Sequence, residues 1–159
     1  MGLCLIFTGV HMEKQRVKIY TDGSCLSNPG PGGWAAILTY GDVEKVISGG
    51  EEHTTNNRME LLAVINALEA LKRSCIVTVI SDSQYVMNGM SKGWAKGWLA
   101  KGGKKSDGKP ALNMELWERL IEAAECHEIT YEWIRGHAGH PYNERCDQIA
   151  KGEAEKFQE

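Results

Sequence analysis

The sequence predicts an α/β domain, a mixed β-sheet flanked by helices. Three observations carry that expectation. Residues 17–52 hold three β-branched and aromatic runs separated by Gly, Pro and Asp turns; from Thr55 the apolar residues recur at helical spacing instead; and "CIVTVIS" at 75–81 is a continuous apolar run of strand length, the mark of a strand covered on both faces. At 159 residues the chain fits one domain able to bury roughly 70% of the surface its unfolded form exposes. A hydrophobic share of 42% and a charged share of 25% are those of a soluble globular protein. No apolar run approaches the roughly 18 residues of a membrane span.

"VKIYT" (17–21) reads as the first strand, "WAAILTY" (34–40) as the second after a Gly/Pro turn, and "EKVISGGEE" (44–52) as the third, with Gly41 and Asp42 in the hairpin turn. These three are expected to form an antiparallel meander. Leu61, Val64, Ile65, Leu68 and Leu71 then mark a long helix, capped by Thr54 or Thr55, that crosses over to the parallel strand at 75–81. A short helix is expected at about 83–89, then a lysine-rich segment, then an amphipathic helix carrying Leu112, Leu116, Leu120, Ile121 and Ala124. "ITYEWI" (129–134) alternates like a strand, and Pro141 opens a last helix at its first turn. The expected order is therefore βββαβααβα.

Five cysteines (Cys4, Cys25, Cys75, Cys126, Cys146) are odd in number and include no C-x-x-C pair, so neither a disulfide framework nor a zinc site is signalled. Reduced thiols in the cytoplasm are the simplest reading. The opening "MGLCLIFTGVHM" has neither a basic n-region nor a small-residue cleavage site, and "HM" before "EKQRVKIY" has the look of a cloning junction. Residues 1–12 are expected to be a non-native or disordered extension, with the domain proper at 13–159. The formal net charge is −3, yet residues 92–109, "KGWAKGWLAKGGKKSDGK", hold six lysines against one aspartate. Such a local basic excess matters more for a nucleic-acid partner than the sum does.

Four acids stand out. Asp22 ends the first strand and Asp82 follows the fourth, and strand ends in α/β sheets are where ligand crevices form. At about 100° per residue, Glu60 falls on the border of its helix's apolar stripe. Asp147 lies on the side of Ala150 and Ala154 in the last helix. Taken singly, Asp22 reads as a turn aspartate, Asp82 as a helix N-cap and Glu60 as a first-turn glutamate favoured by the helix dipole. Taken together, carboxylates beside packed surface are costly unless a cation joins them, and hard oxygen ligands suit Mg²⁺ or Mn²⁺. Two such ions about 4 Å apart activate a water and stabilise the leaving oxygen in phosphodiester cleavage.

"TDGSCLSNPGPGGW", "TTNNRMEL", "SDSQYV" and "RGHAGHPYNERCD" resemble the ribonuclease H family in its bacterial type 1 form, over residues 17 to about 150. The resemblance implies a five-stranded mixed sheet of order 3-2-1-4-5 and places the family's Asp-Glu-Asp-Asp metal set on Asp22, Glu60, Asp82 and Asp147, with Asp22 bridging two Mg²⁺ ions. It maps the family's mobile catalytic histidine onto His137, whose residue type moves protons near neutral pH. His140 inherits no role. It places Thr55 and Asn113 at a phosphate of the DNA strand, and Asn28, Asn56, Asn57 and Gln84 in the minor groove, where hybrid discrimination depends on reading 2′-hydroxyls; Cys25 lies in the same nucleic-acid-binding set. The lysine segment resembles the family's basic protrusion, with Trp94, Trp98, Lys101, Lys104 and Lys105 facing nucleic acid, although "LAKGGKKSDG" is glycine-richer than usual.

The implied function is a Mg²⁺-dependent endonuclease, with Mn²⁺ as a substitute ion, that hydrolyses the RNA strand of an RNA/DNA hybrid and leaves 5′-phosphate and 3′-hydroxyl ends. It is expected to act as a cytoplasmic monomer with no membrane and no obligate protein partner. One rival is a non-catalytic hybrid-binding protein on the same fold; loss of any one acid would have favoured it, and all four are present. A second rival, a DNA-cutting resolvase or transposase core, is opposed by the intact "TTNNRMEL" segment.

Overall fold

The computed structural model describes residues 14–158; the expected extension at 1–12 lies outside them. Five strands and five helices follow in the order β1 (Gln15–Cys25), β2 (Gly30–Tyr40), β3 (Val43–Thr54), α1 (Asn56–Glu69), β4 (Cys75–Ser81), α2 (Gln84–Ser91), α3 (Trp94–Ala100), α4 (Met114–Ala124), β5 (Glu128–Trp133) and α5 (Pro141–Glu155). The sheet order is β3-β2-β1-β4-β5, antiparallel across β1, β2 and β3 and parallel across β1, β4 and β5. This is the expected mixed sheet, and α1 is the expected crossover.

Two details differ from the sequence reading. The lysine segment contains a helix of its own, α3, because Ala95 and Trp98 give it an apolar side that packs on the core while its lysines stay in water. Alternating glycine and lysine hide that short stripe from a periodicity count. Leu112 is not on the amphipathic helix: it is 75% exposed in the preceding loop, and α4 begins at Met114, after Asn113 in a left-handed conformation. Of the two candidate caps for α1, Thr55 does the work, its Oγ1 accepting from the N–H of Arg58 at 3.3 Å. Leu71 lies just past the end of α1 and packs on the same core.

Alternation along the strands divides the core. Val17 and Ile19 of β1, with Val77 and Val79 of β4, meet α1 and α4 on one face, where Trp117 and Leu120 are fully buried. Tyr20, Ile37 and Ile80 face the other way, onto Cys146 and Ala150 of α5. That second layer needs the α5 backbone to sit very low on β2. Gly33 allows it: a Cβ there would overlap the carbonyl of Ala150 and come within 2.8 Å of the Glu153 Cβ. Ser48 of β3 then donates to Glu153 Oε2 at 2.6 Å and fastens the same helix to the sheet edge.

Gly33→Ala should accordingly lower the unfolding free energy by about 1–3 kcal/mol or more, since α5 must lift off β2. Gly97→Ala, inside α3 with nothing within 4 Å of the new methyl, should raise it by about 0.5–1 kcal/mol. Urea unfolding of the two variants beside the parent checks both signs.

Candidate active site

β1, α1 and β4 deliver three acids to one point. Asp22 sits near the C-terminal end of β1, 4% exposed, with its Oδ1 accepting from the N–H of Gly23 at 2.9 Å. Gly23 also lets α1 approach, since a Cβ there would lie 2.5 Å from the Glu60 nitrogen. Asp82 follows the last residue of β4, where parallel pairing with β1 brings the two strand ends side by side. The result is that Asp22, Glu60 and Asp82 each offer a carboxylate oxygen, all within 4.8 Å of one another.

This arrangement is electrostatically strained. Burial, then the charges of Asp82 and Asp147, push the Asp22 carboxyl up to about 8, against the Gly23 N–H that pulls it down. Burial, then Asp22 and Asp82, push Glu60 well above the ordinary glutamate range. Burial raises Asp82 too, with Asn143 and His137 acting the other way. The Glu60 Oε1 is shut off from solvent and has no hydrogen-bond partner. A buried acceptor without a donor, beside two more carboxylates, fits a hard divalent cation.

Asp147, on α5, stands next to this trio and outside it. Its charge reaches Asp22, while its own Oδ2 is paired with Lys151 Nζ at 3.0 Å, one helical turn on. His137 lies close enough to Asp82 to lower its pKa and takes a left-handed backbone, φ 58°.

A polar strip flanks the acids. The N–H of Cys25 donates to Asn56 Oδ1 at 2.8 Å, and the N–H of Asn56 donates to Asn28 Oδ1 at 3.2 Å, tying the β1–β2 turn to the start of α1. Thr55 and Asn57 adjoin them, and Gln84 opens α2, exposed, two residues after Asp82. Asn113 is held from across the molecule: its Nδ2 donates to the Tyr85 hydroxyl at 3.2 Å, which also accepts from Trp117 Nε1 at 3.0 Å. Trp98 packs edge-on against Trp117, centroids 5.8 Å apart, and so is partly core. Trp94 is exposed, with Lys92 over its ring at 5.4 Å. Lys101, Lys104 and Lys105 are exposed, and Lys105 joins Trp94 and Trp98 in lining a shallow hollow.

Sequence reasoning missed three residues beside the acids. Asn143 is 4% exposed next to Asp82, Trp133 donates its indole N–H to the Asp82 carbonyl oxygen at 3.0 Å, and Gly136 abuts the Asp82 carboxylate. Asn143 and Gly136 stand within the quoted "RGHAGHPYNERCD", where nothing but the fold picks them out; Trp133 reads as an ordinary strand aromatic.

The sequence profile of the RNase H family matches residues 14–155. A ribonuclease H from Bradyrhizobium sp. (strain ORS 278) is 59% identical over 135 residues, 85% of this chain and 87% of that one. Among solved structures, LC9-RNase H1, described as a type 1 RNase H with the type 2 active-site motif, superposes with a TM-score of 0.83 at 31% identity, covering 94% of this chain and 76% of its own. LC11-RNase H1, solved in complex with an RNA/DNA hybrid, shares the fold with a TM-score of 0.69 at 24% identity, covering 90% and 99%.

The raised Asp22 pKa has a consequence without any ligand. Between about 3.8 and about 8 the folded chain holds a proton that the unfolded chain has released, so this group's contribution to stability falls as pH rises through that window. In EDTA, Asp22→Asn should match the parent near pH 4 and exceed it by on the order of a few kcal/mol at pH 9. Urea unfolding across that range checks it, and a difference independent of pH would contradict the raised Asp22 pKa.

Proposed function

The chain belongs to the ribonuclease H family, and we propose that it is an endonuclease that hydrolyses the RNA strand of RNA/DNA hybrids by two-metal-ion chemistry at Asp22, Glu60, Asp82 and Asp147. One observation carries the reading: Asp22, Glu60 and Asp82 offer oxygens within 4.8 Å of one another, with a Glu60 oxygen buried and unpartnered. Burial first, and neighbouring carboxylates second, push all three toward their neutral forms. Only added positive charge makes that set comfortable in its ionised form.

Held there, two Mg²⁺ ions, or Mn²⁺ in their place, would supply an activated water and charge stabilisation for the leaving 3′ oxygen. The residues do the rest. Asp22, central among the acids, would help to hold both ions, Glu60 and Asp82 would hold one, and Asp147 the other. His137 moves a proton at the reacting phosphate or helps the product leave. The cut leaves 5′-phosphate and 3′-hydroxyl ends.

The flanking groups suit a hybrid. Asn28 and Asn56 spend their Oδ1 atoms on backbone N–H groups, which leaves each Nδ2 as a donor for 2′-hydroxyls and base edges in the minor groove, beside Cys25, Asn57 and Gln84. Thr55 and Asn113 take a phosphate of the DNA strand. Lys101, Lys104 and Lys105 attract the backbone without regard to sequence, and Trp94 and Trp98 pack against a sugar or base. None of the helices in residues 14–158 is long and apolar enough to cross a membrane. We place the enzyme in the cytoplasm, as a monomer without an obligate partner.

The basic test is cleavage of end-labelled hybrid, double-stranded RNA and double-stranded DNA, each with Mg²⁺ and with EDTA; cutting of the hybrid alone, and with Mg²⁺ alone, is expected. Replacing Lys101, Lys104 and Lys105 together by alanine should weaken hybrid binding and reduce the slope of log K against log salt by about 0.9 for each phosphate no longer neutralised, with turnover at saturation little changed. An unaltered slope would make the segment a mere loop. Asp82→Asn keeps the shape and deletes one charge, so the metal-free protein should be as stable as the parent or more so, while Mg²⁺-dependent hydrolysis collapses. Thermal unfolding in EDTA and hybrid cleavage on one preparation check both halves, and a variant cutting within a few fold of the parent would remove Asp82 from the metal set.

A further inference from the structure

We infer that the connection between β5 and α5 is a positioning element for Asp82, acting through the indole of Trp133 and the missing side chain of Gly136. Asp82 has left the sheet ladder: β4 ends at Ser81, paired with Trp133, and the chain turns at once into α2. Its main chain therefore needs another anchor. Trp133 provides it, its Nε1–H donating to the Asp82 carbonyl oxygen at 3.0 Å, while the N–H of the next residue, Ile134, donates to the Ser81 carbonyl at 3.0 Å. Two consecutive carbonyls at the end of β4 are thus held by two consecutive residues of β5's exit.

Trp133 is not a core residue. It is 46% exposed and belongs to neither hydrophobic cluster, so its indole is better accounted for by the bond it makes than by the apolar area it buries. Gly136 then sets the side chain. A Cβ at this position would lie 2.5 Å from Asp82 Oδ2, 3.3 Å from Cγ and 3.4 Å from Cβ. The backbone of Gly136 is not left-handed; that conformation is taken by His137 beside it. What a methyl here would displace is the Asp82 carboxylate, and not any backbone. Asp82 Oδ2 thus sits against Gly136, an oxygen of the same carboxylate lies within 4.8 Å of oxygens of Asp22 and Glu60, and the loop that carries Gly136 also carries His137. Groups that orient a ligand in this way, without touching the ion, commonly change metal affinity by roughly 10- to 100-fold when altered.

The inference rests on Asp82 being a metal ligand, so Asp82→Asn accompanies the test as a control. Mg²⁺ is titrated calorimetrically into the parent, Gly136→Ala, Trp133→Phe and Asp82→Asn, and hybrid affinity and Tm are recorded for each in EDTA. Gly136→Ala should weaken Mg²⁺ binding roughly tenfold or more and Trp133→Phe several-fold, both with parental hybrid affinity and with a folded metal-free state. Should Gly136→Ala fail to fold, Trp133→Phe, which retains an aromatic ring at an exposed site, decides alone. Parental Mg²⁺ affinity in both variants, with loss in Asp82→Asn, overturns the positioning element. Parental affinity in all three overturns the ligand reading beneath it. Loss of hybrid affinity in EDTA with Mg²⁺ affinity intact in Trp133→Phe would make the indole a substrate contact and overturn its assignment here.

Discussion

Like charges held at close range are the constraint around which this molecule is arranged. Asp22, buried, and Glu60 and Asp82, half-buried, bring oxygens within 4.8 Å of one another, and none of the three gains from its neighbours in the trio. Their convergence must be enforced by packing elsewhere. β1 is pinned between β2 and β4 at the centre of the sheet, α1 is driven onto it by Met59, Leu61, Ile65 and Leu68, all nearly or fully buried, and β4 is covered on one face by α1 and α4. The apolar core is what makes the acidic corner possible, and the corner is where that stabilisation is partly given back.

The same logic explains where side chains are missing. Gly23 admits the first turn of α1 to the end of β1, and Gly33 admits α5 to β2, so that Glu60 and Asp147 approach Asp22 from opposite faces of the sheet. A methyl at either place would meet backbone, which cannot swing aside as a side chain can.

Much of this was legible in the sequence because it is periodic. β-branched alternation, the helical stripe of Leu61, Val64, Ile65 and Leu68, and the apolar run of β4 are local patterns, and each element they mark lies within a few residues of its expected place. The four acids were legible as outliers against those patterns. What stayed hidden is contact between residues distant in sequence. The Trp133 indole meets an Asp82 carbonyl 51 positions away, Asn113 meets Tyr85 across 28, and no spacing rule announces either bond. α3 escaped for another reason: seven residues give fewer than two full turns, too few to show a period among lysines and glycines. Hydrophobicity alone puts Leu112 on α4, and the left-handed Asn113 that ends the loop has no apolar signature.

The way α3 and the loop after it are mounted keeps them apart from the acids. The segment leaves the domain through Gly93, φ 74°, continues through Gly102 and Gly103, both left-handed, and is held to the body by Ala95 and Trp98. Asp22, Glu60, Asp82 and Asp147 all lie outside it. On the function proposed above, the strength of grip on a polyanion is therefore free to drift, or to be redesigned by grafting a foreign loop, without altering any residue assigned to the chemistry.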